Sequence, residues 1–469
     1  MTGDETDAKA SAETGAGTVP DGVTTAGADG VTVPDGVTVL RVEPGSTGRH
    51  GWRPGSVPVA QAAMPGVRIV IDIRPLQDPD RAPLTAAYLD GLLGALDADP
   101  QDGESFAFML AAGRDDPSSD WSNLDVVGRR LLLPTRFLRS GALTVDPLML
   151  RGATIGAGWR AERGGASGAV YHAAGGSMPI ASRIPVVAAL LDLAPWAMPD
   201  EYQRGTSARF GQRLRARLLK DAAAVLVPGR ATAVDARRLL HVKQARLRIV
   251  PLAARSAYRP GAAAGATAER TRLGLGARYA VYAGRYDARQ DVPTLLDALG
   301  RLASEPAPAG VAASDWPPRV CLVGASPDDR ASLSRSAARA GVAEAIVYAQ
   351  GLPEDRLAAL VAGARVLILP VRSEASGLAA LDALAAGVPV VASAVGVLPE
   401  IVGAAGILVD PGDPARLATA IRATWADDDL HGLLATAALH RPAAGRTWAD
   451  VARETRAIWA EVASPAPLF

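Results

Sequence analysis

Short, continuous apolar runs recur along most of the chain, separated by segments with helical periodicity, and the pattern begins near Val67. VRIVIDI, from Val67 to Ile73, reads as a strand covered on both faces, because a central parallel strand needs continuous apolar residues rather than alternation. AAYLDGLLGAL, from Ala86 to Leu96, reads as the helix returning from it. FAFML (Phe106 to Leu110), AVYH (Ala169 to His172), PVVAALLD (Pro185 to Asp192), AVLVP (Ala224 to Pro228) and RIVPL (Arg248 to Leu252) continue as strands, with helices expected at Ser207 to Lys220 and Ala231 to Leu240. After a stretch rich in Pro, Gly and Ala, the pattern restarts with YAVYAG, RVCLVG, AIVYAQG, VLILP, PVVAS and ILVD. This alternation predicts an α/β protein with two Rossmann-like domains facing a central cleft, where ligands bind outside the carboxyl ends of the strands.

The boundaries follow from the same pattern: a tail at 1–65, a first domain at 66–253, a linker at 254–277, a second domain at 278–447 and a last helix at 448–463. The tail is rich in Gly, Thr, Asp, Pro and Ala and repeats VPDGVT at Val19 and Val33. Such a composition buries too little apolar surface to offset chain entropy, so the tail is expected to be disordered. Among 469 residues, 49 basic and 49 acidic side chains balance, which gives no global field toward nucleic acid. A single cysteine, Cys321, sits in an apolar run and reads as an inert core thiol; no disulfide within the chain is possible. The N-terminus lacks the charged-then-apolar pattern of a signal peptide, and no apolar run approaches the ~20 residues of a membrane span. A soluble, cytoplasmic protein is expected.

The most informative stretch runs from Val366 to Ser393, VLILPVRSEASGLAALDALAAGVPVVAS, and reads as strand, loop, helix, strand. Gly387 and Pro389 stop the helix before Val390 and Val391 start the next strand. Two acids frame it, Glu374 before the helix and Asp382 inside it, roughly 12 Å apart at helical rise and near one side. Between them, the N–H groups of residues 376 to 379 favour a phosphate or sugar oxygen. On these features alone, the reading of Glu374 as a partner of the helix dipole prevails.

The whole stretch resembles the donor-binding signature of retaining glycosyltransferases of GT-B architecture, family four (glycosyltransferase group 1), in which two glutamates are separated by seven residues. Glu374, Gly377, Leu378, Leu381, Gly387, Pro389, Val390, Val391 and Ser393 match, and Asp382 stands at the second glutamate. RIVIDIRPL, IPVVAALLDLAPW, AVLVPGRATAVDARRLL and YAGRYDARQDVPTLLDAL resemble further family passages in order. The resemblance implies a metal-independent hexosyl transfer from a nucleotide-diphosphate sugar, with no cofactor. It puts Arg285 on the leaving diphosphate, Glu374 on the sugar and Asp382 on the ribose. Gly284, Arg289, Gln290, Ser376, Gly377 and Leu378 complete the donor set, and the last helix is expected to cross back to the first domain.

Several positions depart from the family pattern. Gln290 stands at the place of a lysine, Leu191 precedes Asp192 where relatives often carry histidine, and DRAPLTAAY (Asp80 to Tyr88) lacks the glycines of the diphosphate loop. Asp192 and His172 are placed on the acceptor side, a structural role for His172 being the alternative. The acceptor is left open among a glycan, a lipid-linked molecule and a small molecule. Arg209, Arg213, Arg217 and Lys220 form a basic stripe beside Phe210, Leu214 and Leu218, which leaves open a solvated face or peripheral contact with anionic lipid. Two functions stand against each other: an active transferase, favoured by Glu374 and Arg285, and a degenerate module that binds a nucleotide, glycan or partner without turnover.

Overall fold

The computed structural model describes residues 66–132, 146–152, 154, 168–175 and 177–463, with the backbone of two tail segments. Those segments, β1 (Gly30–Val33) and β2 (Val37–Leu40), pair antiparallel. The other residues of the tail lie outside the described ones.

The first domain is a seven-stranded parallel sheet of β3 (Val67–Asp72), β4 (Glu104–Ala111), β5 (Val126–Leu132), β6 (Gly168–Ala174), β7 (Val186–Ala189), β8 (Ala224–Val227) and β9 (Leu247–Ile249), in the order β5-β4-β3-β6-β7-β8-β9. The second contains β10 (Ala280–Ala283), β11 (Val320–Val323), β12 (Ile346–Ala349), β13 (Val366–Leu369), β14 (Val390–Ser393) and β15 (Gly406–Val409), ordered β12-β11-β10-β13-β14-β15 and parallel throughout. Both orders reverse beside their first strand. That reversal opens a crevice between β3 and β6 in one sheet and between β10 and β13 in the other.

Burial explains why the apolar runs were legible. Every residue of β3, β8, β11, β13 and β14 is buried, as helices on both faces of a parallel sheet require. The last helix, Trp448–Ala463, packs on the first domain against the helix Pro83–Ala98. Its Arg456 reaches Glu104 at the start of β4, with Nε at 2.8 Å and Nη2 at 3.0 Å from the two carboxylate oxygens. A Cβ on Gly91 would collide with the Trp448 ring, so glycine there lets the two helices approach.

Candidate active site

β13 ends at Leu369, and its following loop leads into the helix Leu378–Ala385. Gly377 is the N-cap with φ +67°, a left-handed conformation that favours glycine, and a Cβ there would also collide with Ile401. Glu374 folds back onto this start. Its Oε1 accepts from the Ser376 N–H at 2.9 Å, the Ser376 hydroxyl at 2.8 Å and the Gly377 N–H at 2.9 Å. Two of the amides read from sequence as free are therefore taken by the protein's own carboxylate. The amides of Leu378 and Ala379 remain at the open end of the helix, and Glu374 Oε2 has no hydrogen bond among the described residues.

Asp382 is arranged differently. It is 2% exposed. Its Oδ1 accepts from the Arg255 N–H at 2.9 Å and its Oδ2 from Arg255 Nε and Nη2 at 3.0 and 2.7 Å. Burial pushes the Asp382 carboxyl up, against the pull of Arg255. In place of the free acid expected at the ribose, the structure shows a carboxylate anchoring the linker, because the Arg255 guanidinium takes Oδ2 and its backbone N–H takes Oδ1. Arg255 also pairs with Glu354 at 3.2 Å, and that carboxylate is more exposed.

The loop after β10 lies beside the Glu374 loop, since β10 and β13 are neighbouring strands. The loops are joined by backbone bonds from Asp291 N to Pro370 O at 2.6 Å and from Arg372 N to Arg289 O at 2.7 Å. A Cβ on Gly284 would stand 2.8 Å from the Tyr282 hydroxyl and 2.9 Å from Gln290 Oε1, so glycine keeps this turn tight. Arg285 follows with its side chain 48% exposed; Nη1 lies 3.5 Å from the Arg81 carbonyl of the first domain and Nε 3.8 Å from Asp287. Such weak engagement leaves its charge available to a ligand. Gln290 is held, its Oε1 accepting from the Tyr282 hydroxyl at 3.1 Å. Arg289 is held more firmly: it pairs with Asp287 at 3.0 Å and, across the cleft, with Asp192 at 2.9 Å. Burial disfavours the Arg289 cation, but the two carboxylates outweigh it and keep the guanidinium firmly protonated. Its charge is already spoken for.

Residues 277–427 match the family described as Glycosyl transferases group 1. The D-inositol 3-phosphate glycosyltransferase of Acidothermus cellulolyticus is 37% identical over 203 residues, which cover 40% of this chain and 43% of that protein. The match thus spans less than half of the relative's length. The sucrose-phosphate synthase from Thermosynechococcus elongatus superposes with a TM-score of 0.61 at 20% identity, covering 84% of this chain and 98% of its own. Anabaena HepE in complex with UDP and glucose gives 0.60 at 16% identity, covering 84% and 99%. The chain has the GT-B glycosyltransferase fold. At these identities the structures speak for the fold alone.

On the first-domain side of the GT-B cleft, His172 requires a correction. Expected to line the acceptor side, with a structural role as the alternative, it is 0% exposed, stacked on Tyr88 and meeting the Trp459 ring edge-on. The Trp459 Nε1–H donates to its Nδ1 at 3.3 Å, and its Nε2 lies 3.2 Å from the Tyr88 hydroxyl. Burial lowers its pKa to about 3, so it stays neutral near pH 7. The side chain points from β6 into the core beneath the last helix, two residues before the strand ends at Ala174. Leu191 is buried, and the glycine-free segment becomes the start of the helix Pro83–Ala98. The basic stripe lies on the exposed face of the helix Thr206–Asp221, and Phe210, expected in its apolar stripe, is itself 60% exposed. Among the described residues, no three His, Cys, Asp or Glu side chains are grouped to hold a metal ion, and no helix is long and apolar enough to cross a membrane. Sequence reasoning missed Arg255, Thr232 and Glu400, whose partners lie more than a hundred positions away.

Proposed function

We propose that the chain transfers a glycosyl group from a nucleotide-diphosphate sugar to an acceptor held against the first domain, with retention and without a metal or cofactor. The observation that carries this reading is the half-engaged Glu374. One oxygen fixes the carboxylate on the helix start and the other is free, beside open amides and one strand away from the exposed Arg285. Glu374 Oε2 accepts from a sugar hydroxyl. Arg285 and the amides of Leu378 and Ala379 meet the diphosphate, where charge grows as the bond from the anomeric carbon to the phosphate oxygen breaks. A bond to the acceptor oxygen forms, and the hydroxyl proton passes to the leaving phosphate. The ribose lies toward the Asp382 end, where Arg255 and Glu354 stand. HepE, complexed with UDP and glucose, supports a donor of this class, and the inositol-phosphate relatives support transfer as the activity. A buried lone Cys321 fits a reducing cytoplasmic setting. The exposed basic stripe with Phe210 supports a peripheral contact with anionic lipid.

The Arg289–Asp192 pair across the cleft, together with the neutral Gln290, favours a second reading, in which the cleft binds a donor without turning it over. A thermal-shift panel of nucleotide sugars followed by a transfer and hydrolysis assay separates the two. A donor at about 100 times its Kd adds ~2.7 kcal/mol of stability under either reading, and only the first gives free nucleotide diphosphate. No shift with any sugar nucleotide contradicts both.

A further inference from the structure

The helix Arg230–Leu240 of the first domain begins at Gly229, which brings no side-chain oxygen to its first amides. A helix start without Ser, Thr, Asp or Asn leaves those donors to other partners. Here the cap comes from the other domain: Glu400 Oε2 accepts from the Arg230 N–H at 2.9 Å and Oε1 from the Ala231 N–H at 2.6 Å. A carboxylate also suits the positive end of the helix dipole. At the next residue, the Thr232 hydroxyl donates to the Ala375 carbonyl at 2.9 Å, in a contact that is buried on both sides. Ala375 sits between Glu374 and Ser376, inside the loop that orients the free Glu374 oxygen. Gly229 has φ −160°, extended backbone that any residue adopts. Yet a Cβ there would stand 2.6 Å from Val397 and 2.9 Å from Glu400 Oε2, so the approach of the second domain accounts for the glycine.

We infer that Glu400, Thr232 and Gly229 form an interdomain clamp that positions the Glu374 loop for transfer. Closing the cleft caps the helix and fixes the Ala375 carbonyl in one step; opening it releases both. The clamp's effect on turnover rests on the transferase reading, whereas its effect on the loop does not. Glu400→Ala removes the cap from an exposed position, and Gly229→Ala blocks docking from the opposite domain without backbone strain. Amide hydrogen exchange, donor calorimetry and transfer kinetics on the full chain test it, with melting midpoints confirming that each variant folds.

Both alanine variants are expected to speed exchange at Arg230, Ala231 and residues 374–377 and to lower kcat by about tenfold, the size of a lost cap. Donor Kd is expected to stay within about threefold, the signature of an effect on the reacting complex rather than on uniform binding. Glu400→Gln keeps one acceptor oxygen and recovers part of the loss. Unchanged exchange at Arg230 and Ala231 in Glu400→Ala overturns the clamp. Faster exchange there, with the loop and kcat unchanged, overturns the coupling. A wild type inert toward every sugar nucleotide counts against the transferase reading, and loop exchange then decides the clamp.

Discussion

Glu374 and Asp382 belong to one loop-and-helix unit, eight positions apart, yet the structure engages them in opposite ways. Glu374 spends one oxygen on the helix start and keeps the other free. Asp382 is buried, and both its oxygens are taken by Arg255. From spacing alone the two were equivalent ends of a donor site. The difference teaches that the carboxylate is only half of such a signature; the other half is whatever else the fold brings to it. Here the linker brings a guanidinium to Asp382, so that acid holds the linker through Arg255.

The comparison breaks first at Glu374. Glu374→Ala is expected to lower turnover by roughly a hundred- to a thousandfold, the usual cost of losing a group aimed at the reacting centre, with a stability loss of only about 1 kcal/mol from the helix start it caps. Asp382→Ala reverses the balance. It strands Arg255 near the core, and because that side chain is 28% exposed and can recover some water, the melting free energy is expected to fall by about 3 kcal/mol, the low end for a broken buried pair. Equal effects of the two substitutions on turnover and stability would erase the distinction. Denaturant unfolding alongside steady-state rates measures both.

A cation added at the open end sharpens the contrast. Gln290→Lys places a charge beside Arg285, and Tyr282 retains the Arg285 carbonyl as hydrogen-bond acceptor at 2.5 Å. Turnover is expected to rise about tenfold, with a smaller change in donor affinity, because the diphosphate charge grows in the transition state. A gain confined to affinity would place the new cation on the ground state only.

How much of this was legible depended on distance along the chain. VLIL and AVLV announced buried parallel strands because both faces of such strands are covered. The loop and helix around Glu374 were legible as a unit because Gly377, Gly387 and Pro389 mark their ends locally, although the bonds by which Glu374 takes the Ser376 and Gly377 amides were not read. Arg255 on Asp382 and Glu400 on the helix at Arg230 are 127 and 170 positions from their partners, so no local pattern carries them. For His172 the structural reading holds and the acceptor-side reading does not: β6 runs on to Ala174, and the side chain is bonded in the core to Tyr88 and Trp459.

His172 also extends the contrast between open and engaged polar groups to the first domain. A histidine whose folded pKa is depressed from 6.5 to about 3 resists protonation only in the native state. Its contribution is fully present above pH 6.5 and is lost as pH falls toward 3, because the unfolded chain then binds the extra proton. The slope is at most about 1.4 kcal/mol per pH unit from this one group. Unfolding free energies of wild type and His172→Gln between pH 4 and 7 are expected to converge as pH falls. Parallel curves would return His172 to a solvated position.

The central claim is that the free oxygen of Glu374 holds the sugar of a nucleotide-diphosphate donor. Calorimetric titration of wild type and Glu374→Ala, each with a sugar nucleotide identified by thermal shift and with its free nucleotide diphosphate, tests it directly. The account expects the substitution to weaken the intact donor by about tenfold or more, the value of one hydrogen bond to a charged group, while the free diphosphate binds nearly as before. An equal loss for both ligands, or no loss for either, would contradict it.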